Sequence, residues 1–164
     1  MNYYAVIHSP VGKLTLASDG NAITGLWLEQ QRYFGANLSN KAELHPDLPV
    51  IQEAACWLDG YFSGQMPRAL PPIEFQGTTF QKEVWTHLLK IPYGKTLSYA
   101  ELAKDIGCRS PMAVGQAVAR NPISILVPCH RVVGSRGQLT GYAGGIERKS
   151  QLLALEKQNC RDRI

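Results

Sequence analysis

Between Gly64 and Gly77 the chain reads GQMPRALPPIEFQG, with three prolines and two glycines in fourteen residues and no helical spacing of its apolar side chains. Proline has no backbone N–H to give to a ladder and clashes with the preceding turn of a helix, so neither a long helix nor a central strand can run through this stretch. It predicts a linker and two bodies: residues 1–75, with the linker, and residues 76–164. A chain of 164 residues, 45% hydrophobic and 18% charged, holds enough apolar material for two small cores.

Before the linker, YYAVIHS, GKLTLAS with Leu14 and Leu16 on one face, and AITGLWLEQ read as strands. Turn signals at Pro10, Gly12 and SDGN separate them, which predicts a small antiparallel meander. PVIQEAACWLDGYF then places Val50, Ala54, Trp57, Leu58 and Tyr61 on one helical face, which should cover that sheet.

After the linker the pattern is helical. Phe80, Val84, Trp85, Leu88 and Leu89 predict an amphipathic helix that ends at Pro92 and Gly94. Ser98 with Glu101 three residues on is a capping box, so a helix should run through Ile106 and close at Gly107. Ser110 as N-cap and Pro111 at the first helical position open another, PMAVGQAVAR, whose Ala113, Ala117 and Val118 can face the first. Two short helices around a glycine-containing turn fit a helix-turn-helix that enters a groove of DNA, and they fit a hairpin packed only for stability equally well. VVGSRGQLTGYAGG, with five glycines in fourteen residues, predicts a hairpin and a loop lying against a ligand, like a wing beside the helices. IERKSQLLALEKQ predicts a last helix with Leu152, Leu153 and Leu155 toward the core and Glu156 able to reach inward. The expected fold class is α+β.

The net charge of +4 is uneven. Up to Thr78 there are four Lys/Arg against seven Asp/Glu, net −3; beyond it there are thirteen against six, net +7. The second body is the one able to meet a polyanion, although many basic domains bind no nucleic acid. Cys56, Cys108, Cys129 and Cys160 are scattered, with neither a C-x-x-C pair nor zinc spacing, so four free thiols and no metal are expected. No stretch approaches the roughly 18 apolar residues needed to span a bilayer, and the N-terminus lacks the pattern of a secretory signal, so no membrane and a cytosolic or nuclear address are expected.

One stretch carries chemistry. In ISILVPCHRVVG, Cys129, His130 and Arg131 follow an apolar run that reads as a buried strand. A cysteine attacks as its thiolate, and an imidazole oriented by a carboxylate can take the proton at neutral pH, so Cys129, His130 and Glu156 would form a relay. Neighbours on an extended strand point to opposite faces, so the pair needs a turn or a bridging water; Pro128 can break the strand. The competing reading of the dipeptide alone is a buried structural thiol beside a satisfied histidine.

FQKEVW, IPYGKTLSY, NPISILV before PCHR, then VVG, GYAGG and LLALE resemble, in that order, the O6-alkylguanine-DNA alkyltransferase family, the methylated-DNA-protein-cysteine methyltransferases. The likeness is continuous from about Gly77 to Glu156, and the first 75 residues are similar in layout, a ribonuclease H-like sheet and helix. The resemblance implies that Cys129 takes an alkyl group from O6 of guanine in double-stranded DNA, without a cofactor, with O4-alkylthymine a second candidate lesion. It implies that His130 and Glu156 activate the thiol, that Asn121 braces the turn, and that Tyr99 donates a proton to the departing guanine. Val132, Tyr142, Ala143 and Gly144 would line the guanine pocket. Ala113 and Gly115 on the second helix, with Arg109, Arg120 and Arg136, would meet DNA. The family places an arginine in a motif like SPRAVG to fill the hole left by an extruded base; here SPMAVG puts Met112 there, an apolar wedge without a guanidinium. A monomer acting once is the leading expectation. Against it stand a sensor that binds alkylated DNA without transfer, a Cys-His thiol hydrolase that would turn over, and a winged-helix regulator indifferent to Cys129.

Overall fold

The computed structural model describes residues 2–65 and 69–161. They fall into two compact units, one of residues 1–76 with 122–126, the other of residues 77–121 with 127–164. Met66, Pro67 and Arg68, within the expected linker, lie outside the described residues.

In the first unit, β1 (Tyr3–Ser9), β2 (Gly12–Ser18) and β3 (Ile23–Leu28) pair antiparallel, and a two-residue strand, β4 (Glu43–Leu44), adds to β1 in parallel. The order is β3-β2-β1-β4, so the expected meander forms and carries one parallel edge strand. At the first hairpin Ser9 Oγ accepts from Val11 N and donates to Gly12 O, which satisfies the turn locally. All six residues of β3 are buried. Its outer edge is covered rather than exposed: Ile23 N donates to Pro72 O and Ile23 O accepts from Glu74 N, while Leu26 N donates to Pro122 O and Leu26 O accepts from Ser124 N. An uncovered edge would leave those backbone groups open to pairing with another chain. Helix α1 (Pro49–Phe62) packs on the sheet through Val50, Ile51, Ala54, Leu58 and Tyr61. Trp57, expected in that face, is half-buried and stacks on Tyr61, with centroids 5.5 Å apart, while Ile51 joins the buried face.

In the second unit, α2 (Thr79–Leu88) opens on Thr78, whose side chain and that of Gln81 close a capping box. After the two-residue strand β5 (Leu97–Ser98), α3 (Tyr99–Ile106) opens on the Ser98–Glu101 capping box and ends at Gly107, whose φ of +81° suits glycine. Each such N-cap contributes about 1 kcal/mol. Ser110 caps α4 (Pro111–Ala119), with Pro111 in its first turn. The buried Trp85 indole N–H donates to Ala117 O at 2.9 Å, tying α2 to α4. Helix α5 (Ile146–Arg161) completes the unit.

Two expectations differ from what forms here. The hairpin expected within 132–145 is absent; only β6 (Val132–Val133) is extended, and it pairs in parallel with β5. Glycine-rich backbone gains no cross-strand side-chain contacts and loses the most entropy as a strand, so the remainder stays a loop. The apolar run before Cys129 is not a strand either. It makes one bridge to Leu26 at Ile123 and then turns sharply at Ile125, whose φ is +70°.

Candidate active site

Two tight turns present the thiol. Leu126 N donates to Ser124 O at 2.8 Å across Ile125, an i to i+2 bond with positive φ at its centre, which makes a γ-turn. A β-branched residue in that region is strained, and burial of Ile125 holds it there. Three residues on, Cys129 N donates to Val127 O at 2.8 Å across Pro128, at φ −81° and ψ 62°, which makes an inverse γ-turn. Val127 O also accepts from the Asn121 side-chain amide at 3.0 Å, so Asn121 braces this turn. Cys129–Arg131 then winds into a single 3-10 turn. Winding, rather than extension, lets all three residues face inward: Cys129 is 4% exposed, His130 0% and Arg131 7%.

Glu156, on the buried face of α5, meets this turn from the other side. Its Oε2 lies 2.5 Å from His130 Nε2, and its Oε1 accepts from Arg131 Nε at 2.8 Å and from Gly94 N at 3.0 Å. Arg131 also donates through Nη2 to Oε2 and through Nη1 to Ile91 O. Gly94 has a φ of +78°, and a Cβ there would stand 2.4 Å from Cys160 Sγ, so the N–H that reaches Glu156 depends on glycine.

Protonation states follow from these contacts. Burial pushes the Cys129 thiol up, against Asn121, the charge of Lys149 and nearby backbone amides that favour the thiolate, so the resting sulfur keeps its proton. Burial pulls His130 down, against its Glu156 partner, and leaves it a neutral base. Burial alone would raise Glu156, yet the hydrogen bonds and charges of His130 and Arg131 outweigh it and hold the carboxyl well below its ordinary range. A neutral imidazole and an anchored carboxylate meet on the turn that bears the thiol. With Nε2 engaged by Glu156, Nδ1 is the ring nitrogen that can take the thiol proton, and Glu156 can stabilise the imidazolium that forms.

Tyr99, the first residue of α3, points its hydroxyl at Thr140 O, 3.0 Å away. Burial and then the charge of Cys129 raise its pKa. Close approach is built in around it, since a Cβ at Gly115 would sit 3.6 Å, and one at Gly141 3.3 Å, from Tyr99 atoms. Val132, Tyr142 and Gly144 are buried and Ala143 half-buried. The expected DNA-facing residues lie on α4, at its two ends and in the loop beyond β6. Arg109 and Met112 flank the start of α4, Met112 being 75% exposed, while Ala113 and Gly115 are half-buried on that helix. Arg120 caps its far end and Arg136 lies exposed in the glycine-rich loop.

Two residues at the site were not assigned a role from the sequence. Arg131 gave no signal beyond its place beside His130. Lys149 did give one: positions 149, 152 and 156 share a helical face, and with Leu152 and Glu156 read as inward, Lys149 had to follow. It is fully buried. Among the described residues no group of three or more His, Cys, Asp and Glu could hold a metal, and no helix is long and apolar enough to cross a membrane.

Comparisons with known proteins agree across both units. The family model described as 6-O-methylguanine DNA methyltransferase, DNA binding domain, matches residues 79–158, and the one described as 6-O-methylguanine DNA methyltransferase, ribonuclease-like domain, matches residues 2–75. A methylated-DNA–protein-cysteine methyltransferase of Mycobacterium bovis is 45% identical over 161 residues, 98% of this chain and 95% of that one. The constitutive one of Bacillus subtilis is 39% identical over 165 residues, 99% of this chain and 100% of that one. The crystal structure of Mycobacterium tuberculosis OGT in complex with DNA superposes with a TM-score of 0.87 at 43% identity, covering 96% of this chain and 94% of that one.

Proposed function

Since this chain belongs to the 6-O-methylguanine DNA methyltransferase family, a repair family that moves an alkyl group from methylated DNA to a protein cysteine, we propose that Cys129 is the accepting sulfur. The observation that carries this assignment is the sealed contact between His130 and Glu156, made by the same 3-10 turn that bears the thiol. Among the four cysteines, Cys56 and Cys160 are exposed and Cys108 half-exposed; Cys129 alone is buried beside a base.

The thiol proton passes through a water to His130 Nδ1, and Glu156 offsets the charge on the ring. The thiolate then attacks the alkyl carbon on O6 of guanine: the S–C bond forms, the C–O bond breaks, and the electron pair stays on the purine. Tyr99, released from Thr140 O, gives its proton to the leaving base. A thioether has no acyl carbon for water to attack, so each molecule acts once. O4-alkylthymine is the second substrate in this proposal, and all groups named come from one chain, which supports action as a monomer.

A base inside duplex DNA cannot reach a thiol that is 4% exposed, so the nucleotide is turned out of the stack, which costs a few kcal/mol. In the proposed complex α3 and α4 act as a helix-turn-helix with α4 toward a groove. Met112 fills the vacated step, Arg109, Arg120 and Arg136 meet phosphates, and guanine lies against Val132, Tyr142, Ala143 and Gly144. An address in the cytoplasm, or in a nucleus where there is one, belongs to this proposal, since that is where DNA is met.

The test is to incubate the protein with a duplex containing O6-methylguanine and weigh its tryptic peptides. One methyl on the Cys129 peptide, absent in Cys129→Ala, is the expected result. DNA binding with every cysteine unmodified would make the protein a sensor, and repeated turnover of a small ester would make it a hydrolase.

A further inference from the structure

The loop after α2 grips α5 at two places, and only one of them belongs to the relay above. Gly94 N donates to Glu156 Oε1 at 3.0 Å, while the side-chain amide of Asn159, three residues further along α5, donates to the Tyr93 hydroxyl at 2.7 Å. Positions three apart on a helix lie on one face, so both contacts hold the same face of α5 to the loop. The Arg131 guanidinium also lies over the Tyr93 ring, with Cζ 5.6 Å from the centroid, within the range of a cation–π contact. Arg131 is in turn bonded to both Glu156 oxygens and to Ile91 O. Tyr93 therefore touches the cation that holds the carboxylate and the helix that carries it.

We propose that Tyr93 and Asn159 are positioning residues for the base: by fixing Arg131 and α5 they keep the Glu156 carboxylate on His130, and so set how strongly the imidazole draws the thiol proton. The inference rests on Cys129 being the accepting sulfur and His130 its base. Four groups bear on the ring. Cys129 is its chain neighbour, Arg131 shares its turn, and Glu156 and Lys149 come from α5. Burial lowers His130 most, Glu156 raises it, and the charges of Arg131 and Lys149 lower it. Among the three charged groups only Glu156 favours the protonated ring, so a carboxylate that drifts leaves a weaker base. Transfer then slows at neutral pH. The ring also protonates at lower pH, so the acid limb of the rate profile moves down. Lost stability has the opposite sign, because acid unfolds the protein sooner and moves that limb up.

The experiment measures single-turnover transfer from an O6-methylguanine duplex against pH for the unaltered protein, Tyr93→Phe, Tyr93→Leu, Asn159→Ala and the Tyr93→Phe/Asn159→Ala pair. Tyr93→Phe keeps the ring and loses the hydroxyl; Tyr93→Leu loses both. Each single loss of the hydrogen bond should slow transfer at neutral pH by about fivefold. The pair should be no slower than either single change, since both remove one bond. Tyr93→Leu should be slower by about tenfold. In every variant the acid limb should lie at lower pH, and the His130 Nε2 proton resonance should move upfield at neutral pH as its bond to Glu156 lengthens. An acid limb that stays in place or moves up, an unmoved proton resonance or a fully additive pair overturns the inference, leaving two residues that only hold the helix. Unchanged rates in all variants overturn it too, while methylation of Cys129 in the unaltered protein keeps the proposed function intact. An unaltered protein that transfers nothing to Cys129 removes that reading, and this inference with it.

Discussion

Glu156 Oε2 and His130 Nε2 lie 2.5 Å apart, and their side chains are 1% and 0% exposed. The same carboxylate takes Arg131 through its other oxygen at 2.8 Å. One anion therefore orients the imidazole and neutralises a buried cation, so the proposed proton relay and the stability of the fold meet at one residue.

Glu156→Gln keeps the shape and removes the charge. Arg131 is then left buried without its counter-ion, which costs about 3 kcal/mol. His130 also loses the partner that stabilises its protonated form, so transfer should slow by about a hundredfold or more. Urea unfolding and single-turnover transfer on the same preparation check both. An unchanged rate in a protein of lowered stability would separate the two roles.

Acid should weaken the fold earlier than ordinary carboxylates require. His130 has a lowered folded pKa, so below about 6.5 the unfolded chain binds a proton that the folded one refuses, and stability falls as pH drops. Glu156 follows with the same sign: its stabilising contribution is whole above its unfolded pKa of about 4.3 and is lost as pH falls toward the lowered folded value. Unfolding free energies from urea titrations at pH 7.5 and 5.5 should differ by about 1 kcal/mol on account of His130. That part of the difference should vanish in His130→Asn.

Gly94→Ala should destabilise by about 1–2 kcal/mol, because alanine resists a φ of +78°. The strain withdraws the N–H that Glu156 accepts, so transfer slows too. Adding Cys160→Ala relieves only the contact with Sγ and should recover little, which distinguishes backbone conformation from crowding.

Met112→Arg should speed repair of duplex DNA and leave the reaction with free O6-methylguanine base unchanged. Met112 is 75% exposed at the start of α4, so the replacement disturbs no core. A guanidinium adds charge and hydrogen bonds to a wedge that otherwise has only shape. Equal acceleration on both substrates would show that Met112 does not fill the vacated step.

Features set by neighbours in the chain could be read from it. Ser98 with Glu101, Gly107, and Ser110 with Pro111 mark the ends of α3 and α4 where they occur. The sequence reading joins Cys129, His130 and Glu156 by residue type, and His130 and Glu156 do meet, on the turn that carries Cys129. What stayed hidden depends on distant partners. Ile73 and Ile123 line the edge of β3, but their own segments are too short and irregular to carry strand periodicity. The γ-turn at Ile125 contradicts the preference of a β-branched residue, so local propensity argued for a strand where burial dictated a bend. Lys149 stays hidden for a different reason: a lysine is almost never fully buried, although the helical face it shares with Leu152 and Glu156 turns it inward.

Pro122–Leu126 follow α4 and precede the nucleophile in sequence, yet they pack with the sheet unit. Order of synthesis suits this arrangement: β3 has left the ribosome long before Ile123 emerges to dock on it. A fragment begun at Gly77 would carry Ile123 and Ile125 with nothing to receive them. Two apolar side chains that the whole protein hides would then meet water, so shortening the gene at that glycine carries a penalty in solubility.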